Sequence, residues 1–148
     1  MAGKLIMTKK LEIQDYYHDR LMNCSNPYQG DYPRVLTICS AGLLRSATIA
    51  FVLTREPYDC NTRNCGTDTS CALIRLDAVL YAWADFIIYA NETNKVVGEE
   101  IFGKNSEKKV YCFDLPDKYA YRDIELVKIV KEKIVSSGFL ADLDKFKE

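Results

Sequence analysis

Between Arg34 and Arg55 the chain changes its periodicity within a few residues, and that change limits the possible folds more than any other stretch. Arg34 to Ile38 is short, β-branched and nearly all apolar, as expected for a strand buried on both faces of a parallel sheet. From Ser46 the run Ala47-Thr48-Ile49-Ala50-Phe51-Val52-Leu53-Thr54-Arg55 reads as a mostly buried helix. It ends before Pro57, which biases its predecessor away from the helical region. Ser40, Ala41, Gly42, Leu43 and Leu44 then form a turn from a strand end into a helix N-terminus. In such a turn successive backbone N–H groups point into one concavity and the helix adds partial positive charge. The result is a preformed cradle for a dianionic phosphate.

Two side chains make that cradle reactive. Arg45 sits where it can close the loop, and its guanidinium offers a rigid fork of donors that matches two phosphate oxygens. Cys39 opens the loop. A thiol at a helix N-terminus beside a cation gives up its proton more readily than a free one. Ser46 adds a hydroxyl that can donate to the thiolate and later to the leaving sulfur. Cys-x5-Arg also arises by chance, with the cysteine structural and the arginine on the surface. The preceding strand, the small-residue loop, Ser46 and the following helix favour a cysteine-dependent phosphatase.

The loop resembles that of the low-molecular-weight protein tyrosine phosphatases and their bacterial and phage relatives, whose usual signature is Cys-x-Gly-Asn-x-Cys-Arg-Ser near the N-terminus. Asn64-Cys65-Gly66-Thr67 resembles the family's Ser-Ala-Gly-Thr segment, and Trp83-Ala84-Asp85 its Trp-Ala-Asp entry into the third strand. Val110 to Tyr119, then Tyr121 to Val127, is similar to a divergent branch in which an Ile-Pro-Asp-Glu-Tyr type segment replaces the standard Asp-Pro-Tyr. The resemblance covers about residues 34 to 137 and is weak outside the loop. It implies a single-domain α/β three-layer sandwich with a four-stranded parallel sheet. It also implies hydrolysis of a phosphomonoester, such as protein phosphotyrosine, through a phosphocysteine. The partner would be a phosphorylated protein or a small phosphomonoester. No cofactor or metal is expected, because Arg45 and the helix terminus supply the positive charge.

Such chemistry needs a protonated carboxyl over the leaving oxygen. Asp117 is the candidate, in a Pro-containing loop after the last strand, since open parallel sheets assemble their sites at strand C-terminal ends. Carried over from the family, Asp117 protonates the leaving group and then activates the hydrolytic water. Asp114 is the rival, and Asp123 is expected to cap the helix starting at Ile124. Tyr119 and Tyr121 are candidates for a pocket wall.

The departures from the signature bear on activity. Ala41 and Gly42 stand where the family has Gly and Asn, so the loop lacks a bracing amide. Leu44 replaces the second cysteine, so no adjacent disulfide protects Cys39 from over-oxidation. Ala47 replaces the frequent proline. A noncatalytic phosphate-recognition module on the same fold is therefore the alternative. Arsenate reduction, in which Cys65 and Cys71 would relay a disulfide from Cys39, fits less well because their spacing is too narrow.

Composition sets outer bounds. The chain has 148 residues, 48% of them hydrophobic and 28% charged, enough for one globular domain with a core. A net charge of -1 argues against general nucleic-acid binding. Lys108, Lys109, Lys128, Lys131 and Lys133 read as a solvated face. Leu5-Ile6-Met7 is too short for a signal core and no apolar run approaches a membrane span, so a cytoplasmic location without membrane association is expected. Six cysteines without a secretory signal do not make a disulfide framework. Cys60, Cys65 and Cys71 lack zinc-ligand spacing and are expected in core or loop positions.

The expected strands lie near 34 to 38, 56 to 60, 85 to 89 and 109 to 113. Helices are expected near 45 to 55, 70 to 83, 93 to 102 and 123 to 137, with Gly138 as a C-cap before a short terminal helix. Residues 1 to 33 read as an N-terminal extension, a helix and a loop, packing on the phosphatase-like domain of residues 34 to 148. Oligomeric state does not follow from the sequence.

Overall fold

A computed structural model describes residues 31 to 104 and 108 to 148. The first strand, β1 (Arg34–Cys39), leads through a bent loop into α1 (Arg45–Leu53). The chain continues through β2 (Asn61–Gly66), α2 (Ala78–Trp83), β3 (Phe86–Tyr89), α3 (Glu92–Phe102) and β4 (Lys109–Cys112). Two helices, α4 (Ile124–Ser136) and α5 (Phe139–Lys147), end the chain. All strand pairs are parallel, in the order β2-β1-β3-β4.

Alternation along the strands divides the core in two. Val35, Phe86 and Ile88 face α1, α4 and α5 through Ile49, Leu53, Leu126, Val130, Phe139 and Leu143. Leu36, Ile38, Ile87 and Tyr89 face the other side, where Tyr81 of α2 stacks on Phe102 of α3 at 4.0 Å between ring centroids. Residues one apart on a strand point to opposite faces, so these apolar runs can supply both cores only if helices cover both faces. The molecule is the expected three-layer α/β sandwich. Full burial of each large apolar side chain contributes roughly 1.5–3 kcal/mol.

Several local expectations hold for physical reasons the sequence carries. Asp123 caps α4 by accepting from Glu125 N at 2.8 Å. Gly138, at φ +89°, takes the left-handed position between α4 and α5. Among the described residues no helix is long and apolar enough to cross a membrane. The N-terminal extension lies outside the described residues except for Asp31 to Pro33.

Two elements differ from expectation. The strand placed at 56 to 60 is instead a turn, in which Tyr58 N and Asp59 N both donate to Arg55 O, and β2 starts at Asn61. Its sequence Asn-Thr-Arg-Asn-Cys-Gly is polar, so its burial is concealed from a pattern search. The helix placed at 70 to 83 begins only at Ala78, capped by Asp77. Upstream of it, Gly66 N donates to Ile74 O and Leu76 N to Gly66 O, and this short extended pairing excludes a helix there. A charge expectation also changes. Lys108 does not simply face solvent: its ammonium donates to Ala82 O and Ala84 O at the end of α2, where a cation suits the helix dipole.

Cys60 and Cys65 are fully buried. Burial pushes the Cys60 thiol up to about 12 and the Cys65 thiol up further. An unfolded chain ionises these thiols near 9, whereas the folded protein keeps them protonated. Their contribution is therefore complete below pH 9 and is lost as the pH rises toward 12. Urea denaturation at stepped pH is expected to show stability falling above pH 9, by up to about 1.4 kcal/mol per pH unit for each cysteine. Cys60→Ala and Cys65→Ala should flatten that decline.

Candidate active site

The residues after β1 converge on Cys39, whose side chain lies at the C-terminal edge of the sheet and is 3% exposed. The loop is tied down on both sides by backbone. Thr67 N donates to Cys39 O and Asp68 N to Ser40 O, both at 2.9 Å, while on the β3 side Ala90 N donates to Ile38 O at 2.7 Å. β2 passes so close beneath the loop that only glycine fits at its end: a Cβ on Gly66 would lie 2.3 Å from Ser40 O.

Within the loop Gly42 turns into the left-handed region at φ +75°. Its N–H donates to Cys39 Sγ at 3.2 Å. Ser46 Oγ lies 3.1 Å from the same sulfur on the other side. Thr37 Oγ1 donates to Ser46 O at 2.8 Å, joining that end of the loop to β1. The N-terminus of α1 carries no side-chain cap and no acidic residue in its first turn. The positive end of its dipole therefore faces the loop without an acidic side chain to offset it.

Arg45, the first residue of α1, is 3% exposed. Its Nη1 donates to Leu115 O at 3.4 Å and its Nε lies 3.5 Å from Asp117 Oδ1. The loop after β4 thus delivers both a carbonyl that orients the guanidinium and a carboxylate beside it. Leu115 is held in turn by its N–H donating to Ala90 O at 2.7 Å. The side chain of Asp117 is 69% exposed and open to the site mouth.

Asp114, the rival acid, points elsewhere. It accepts from the Cys112 thiol at 3.5 Å. Among the described residues one group, Glu92, Cys112 and Asp114, has donor atoms within 4.8 Å of one another, close enough to hold a metal ion. Burial pushes the Cys112 thiol up to about 11, so at neutral pH it is a protonated donor to Asp114.

The two tyrosines beside Asp117 are engaged in packing. Tyr121 meets Phe51 of α1 edge-on at 6.4 Å, with the Arg122 guanidinium over both rings. Tyr119 packs against the larger core with Lys118 over its ring. Cys65 is buried in β2, and Cys71 is exposed in the turn whose Ala72 N bonds to Asp68 O.

Two buried asparagines were not among the sequence candidates. Asn64 of β2 donates from Nδ2 to Gly42 O at 2.5 Å. Asn94 of α3 donates from Nδ2 to Ser40 Oγ at 3.3 Å and Thr67 Oγ1 at 3.1 Å. The available signal was chemical: a buried amide inside a strand or helix packed on a sheet must find a partner, and here the partners are the Gly42 carbonyl and the Ser40 and Thr67 hydroxyls.

No protein-family model matches the sequence, and no curated protein matches it. Solved structures do. The chain is similar to the low molecular weight protein tyrosine phosphatase SP-PTP from Streptococcus pyogenes, at 15% identity and a TM-score of 0.56, over 70% of this chain and 92% of that one. It is similar also to a YwlE mutant from Bacillus subtilis, at 16% identity and a TM-score of 0.52, over 78% of this chain and 99% of that one. A parallel sheet in the order β2-β1-β3-β4, covered on both faces and carrying Cys39 and Arg45 at its C-terminal edge, gives this chain the fold of the low-molecular-weight protein tyrosine phosphatases.

Proposed function

We propose that the protein hydrolyses phosphomonoesters through a phosphocysteine on Cys39. The observation that carries this reading is the paired support of one sulfur, by Gly42 N–H at 3.2 Å and Ser46 Oγ at 3.1 Å, at the uncapped start of a helix whose first residue is a buried arginine. A structural cysteine needs none of these. The Cys39 thiolate attacks phosphorus, a P–S bond forms and the ester P–O bond breaks. Asp117 gives its proton to the departing oxygen. Arg45 and loop N–H groups between Ser40 and Ser46, other than the Gly42 N–H that supports the sulfur, hold the equatorial oxygens, whose charge is greatest in the transition state. Asp117, now a carboxylate, takes a proton from water as that water attacks phosphorus. The P–S bond breaks, inorganic phosphate leaves and Ser46 donates to the returning sulfur.

The substrate class implied by the resemblance is a phosphomonoester, either protein phosphotyrosine or a small phosphomonoester. The closeness of Asp117 to Arg45 supports Asp117 over Asp114 as the acid.

The test is release of p-nitrophenol from p-nitrophenyl phosphate with EDTA present. Turnover that survives EDTA supports the reading. Wild-type protein that binds vanadate without turnover contradicts it and makes the loop a phosphate-recognition module. Asp117→Asn should lower kcat/KM, which reports the steps up to departure of the alcohol, about 10²-fold on phenyl phosphate and less on p-nitrophenyl phosphate. The nitrophenolate leaves with little help from an acid, whereas phenolate needs the proton. Equal losses on the two esters would remove Asp117 from the acid role.

A further inference from the structure

Asn64 accounts for how this loop keeps its shape without an amide of its own. Gly42 is buried and left-handed, and a Cβ there would sit 2.8 Å from Cys65 C and 3.0 Å from Gly66 N, both backbone atoms. A side chain at this position, asparagine included, would force β2 and the loop apart. Any brace must therefore come from outside the loop. β2 supplies it: Asn64, paired in register with Thr37 and only 4% exposed, reaches across to Gly42 O at 2.5 Å. A buried amide is costly unless bonded, and this one spends its donor on the loop.

We propose that Asn64 is a positioning residue for Cys39, fixing the Gly42 carbonyl so that the Gly42 N–H stays aimed at the Cys39 sulfur; this rests on Cys39 being the nucleophile. The carbonyl and the N–H flank the same Cα. Holding the carbonyl fixes ψ, and the left-handed φ then directs the N–H to Sγ. Without the brace a glycine peptide has several other orientations open to it, and the thiolate loses a donor for part of the time.

The test compares Asn64→Val with Asn64→Thr, which have the same shape and suit a strand but differ in a hydroxyl donor. The pH profile of Cys39 alkylation by iodoacetamide, kcat for p-nitrophenyl phosphate and the melting temperature are measured together. Asn64→Val is expected to move the alkylation midpoint up by about one pH unit and to lower kcat about tenfold, the worth of one hydrogen bond to a charged group. Asn64→Thr should recover part of both. If Asn64→Val does not fold, Asn64→Leu, nearer in volume to asparagine, takes its place. A lower melting temperature with an unmoved alkylation profile would mean a merely structural residue and overturn the proposal. Equal profiles for Val and Thr, both shifted, would also overturn it, by assigning the effect to shape. Absence of turnover in the wild type would defeat the hydrolase reading separately, while the alkylation profile would still decide the role of Asn64.

Discussion

Cys39→Ser is expected to remove turnover of p-nitrophenyl phosphate, by on the order of 10⁴-fold or more, while the fold and phosphate binding persist. The serine hydroxyl fills less space than the thiol and still lies within reach of Gly42 N–H and Ser46 Oγ, so the loop has no reason to open. A serine hydroxyl is a much weaker nucleophile than a cysteine sulfur, so the attack on phosphorus is expected to fail. Phosphate or vanadate titration by calorimetry separates the two effects: binding retained and turnover lost is the expected pair. Loss of both would mean that the thiol has a structural role.

Arg45→Lys is expected to cost roughly 10²- to 10³-fold in kcat/KM, although the charge is conserved. The guanidinium already spans two groups of the loop after β4, Leu115 O at 3.4 Å and Asp117 Oδ1 at 3.5 Å. An ammonium is a single point and cannot hold both while also presenting a fork to phosphate. Arg45 is buried among α1, the loop and Leu115, so the shorter-reaching lysine also leaves space that nothing fills. Steady-state kinetics with wild type and variant at one pH is the check, and a loss under about fivefold would contradict the clamp role.

The parts of the fold legible in the sequence were those where apolar periodicity and burial coincide. β1, β3 and α1 bury nearly every residue, and their Val, Ile, Leu and Phe runs say so. β2 lies outside the expected strand because most of its buried residues are polar, among them Thr62 and Asn64, whose side chains donate to Ala50 O and Gly42 O. Burial of that kind depends on partners far away in the chain, and no window of sequence contains them. The same holds for residues 70 to 77, which continue the helical spacing of the segment that follows but in which Ile74 and Leu76 pair with Gly66 instead. At the site, Cys39, Arg45 and Ser46 were readable from one contiguous loop. Asp117 needed the position of a strand end as well. Asn64 and Asn94 needed the sheet itself, since they act on the loop from 22 and 54 residues away along the chain.

The central claim is a covalent bond between phosphorus and the sulfur of Cys39. Asp117→Asn is expected to slow the release of phosphate from that bond, so that the intermediate accumulates during turnover of p-nitrophenyl phosphate. Quenching that reaction in acid and mapping the peptides by mass spectrometry tests the claim directly. The predicted result is one phosphoryl group on the peptide containing Cys39, absent from the Cys39→Ser protein. Phosphoryl found on Ser46 or another residue, or p-nitrophenol released with the Cys39 peptide unmodified throughout, would contradict it.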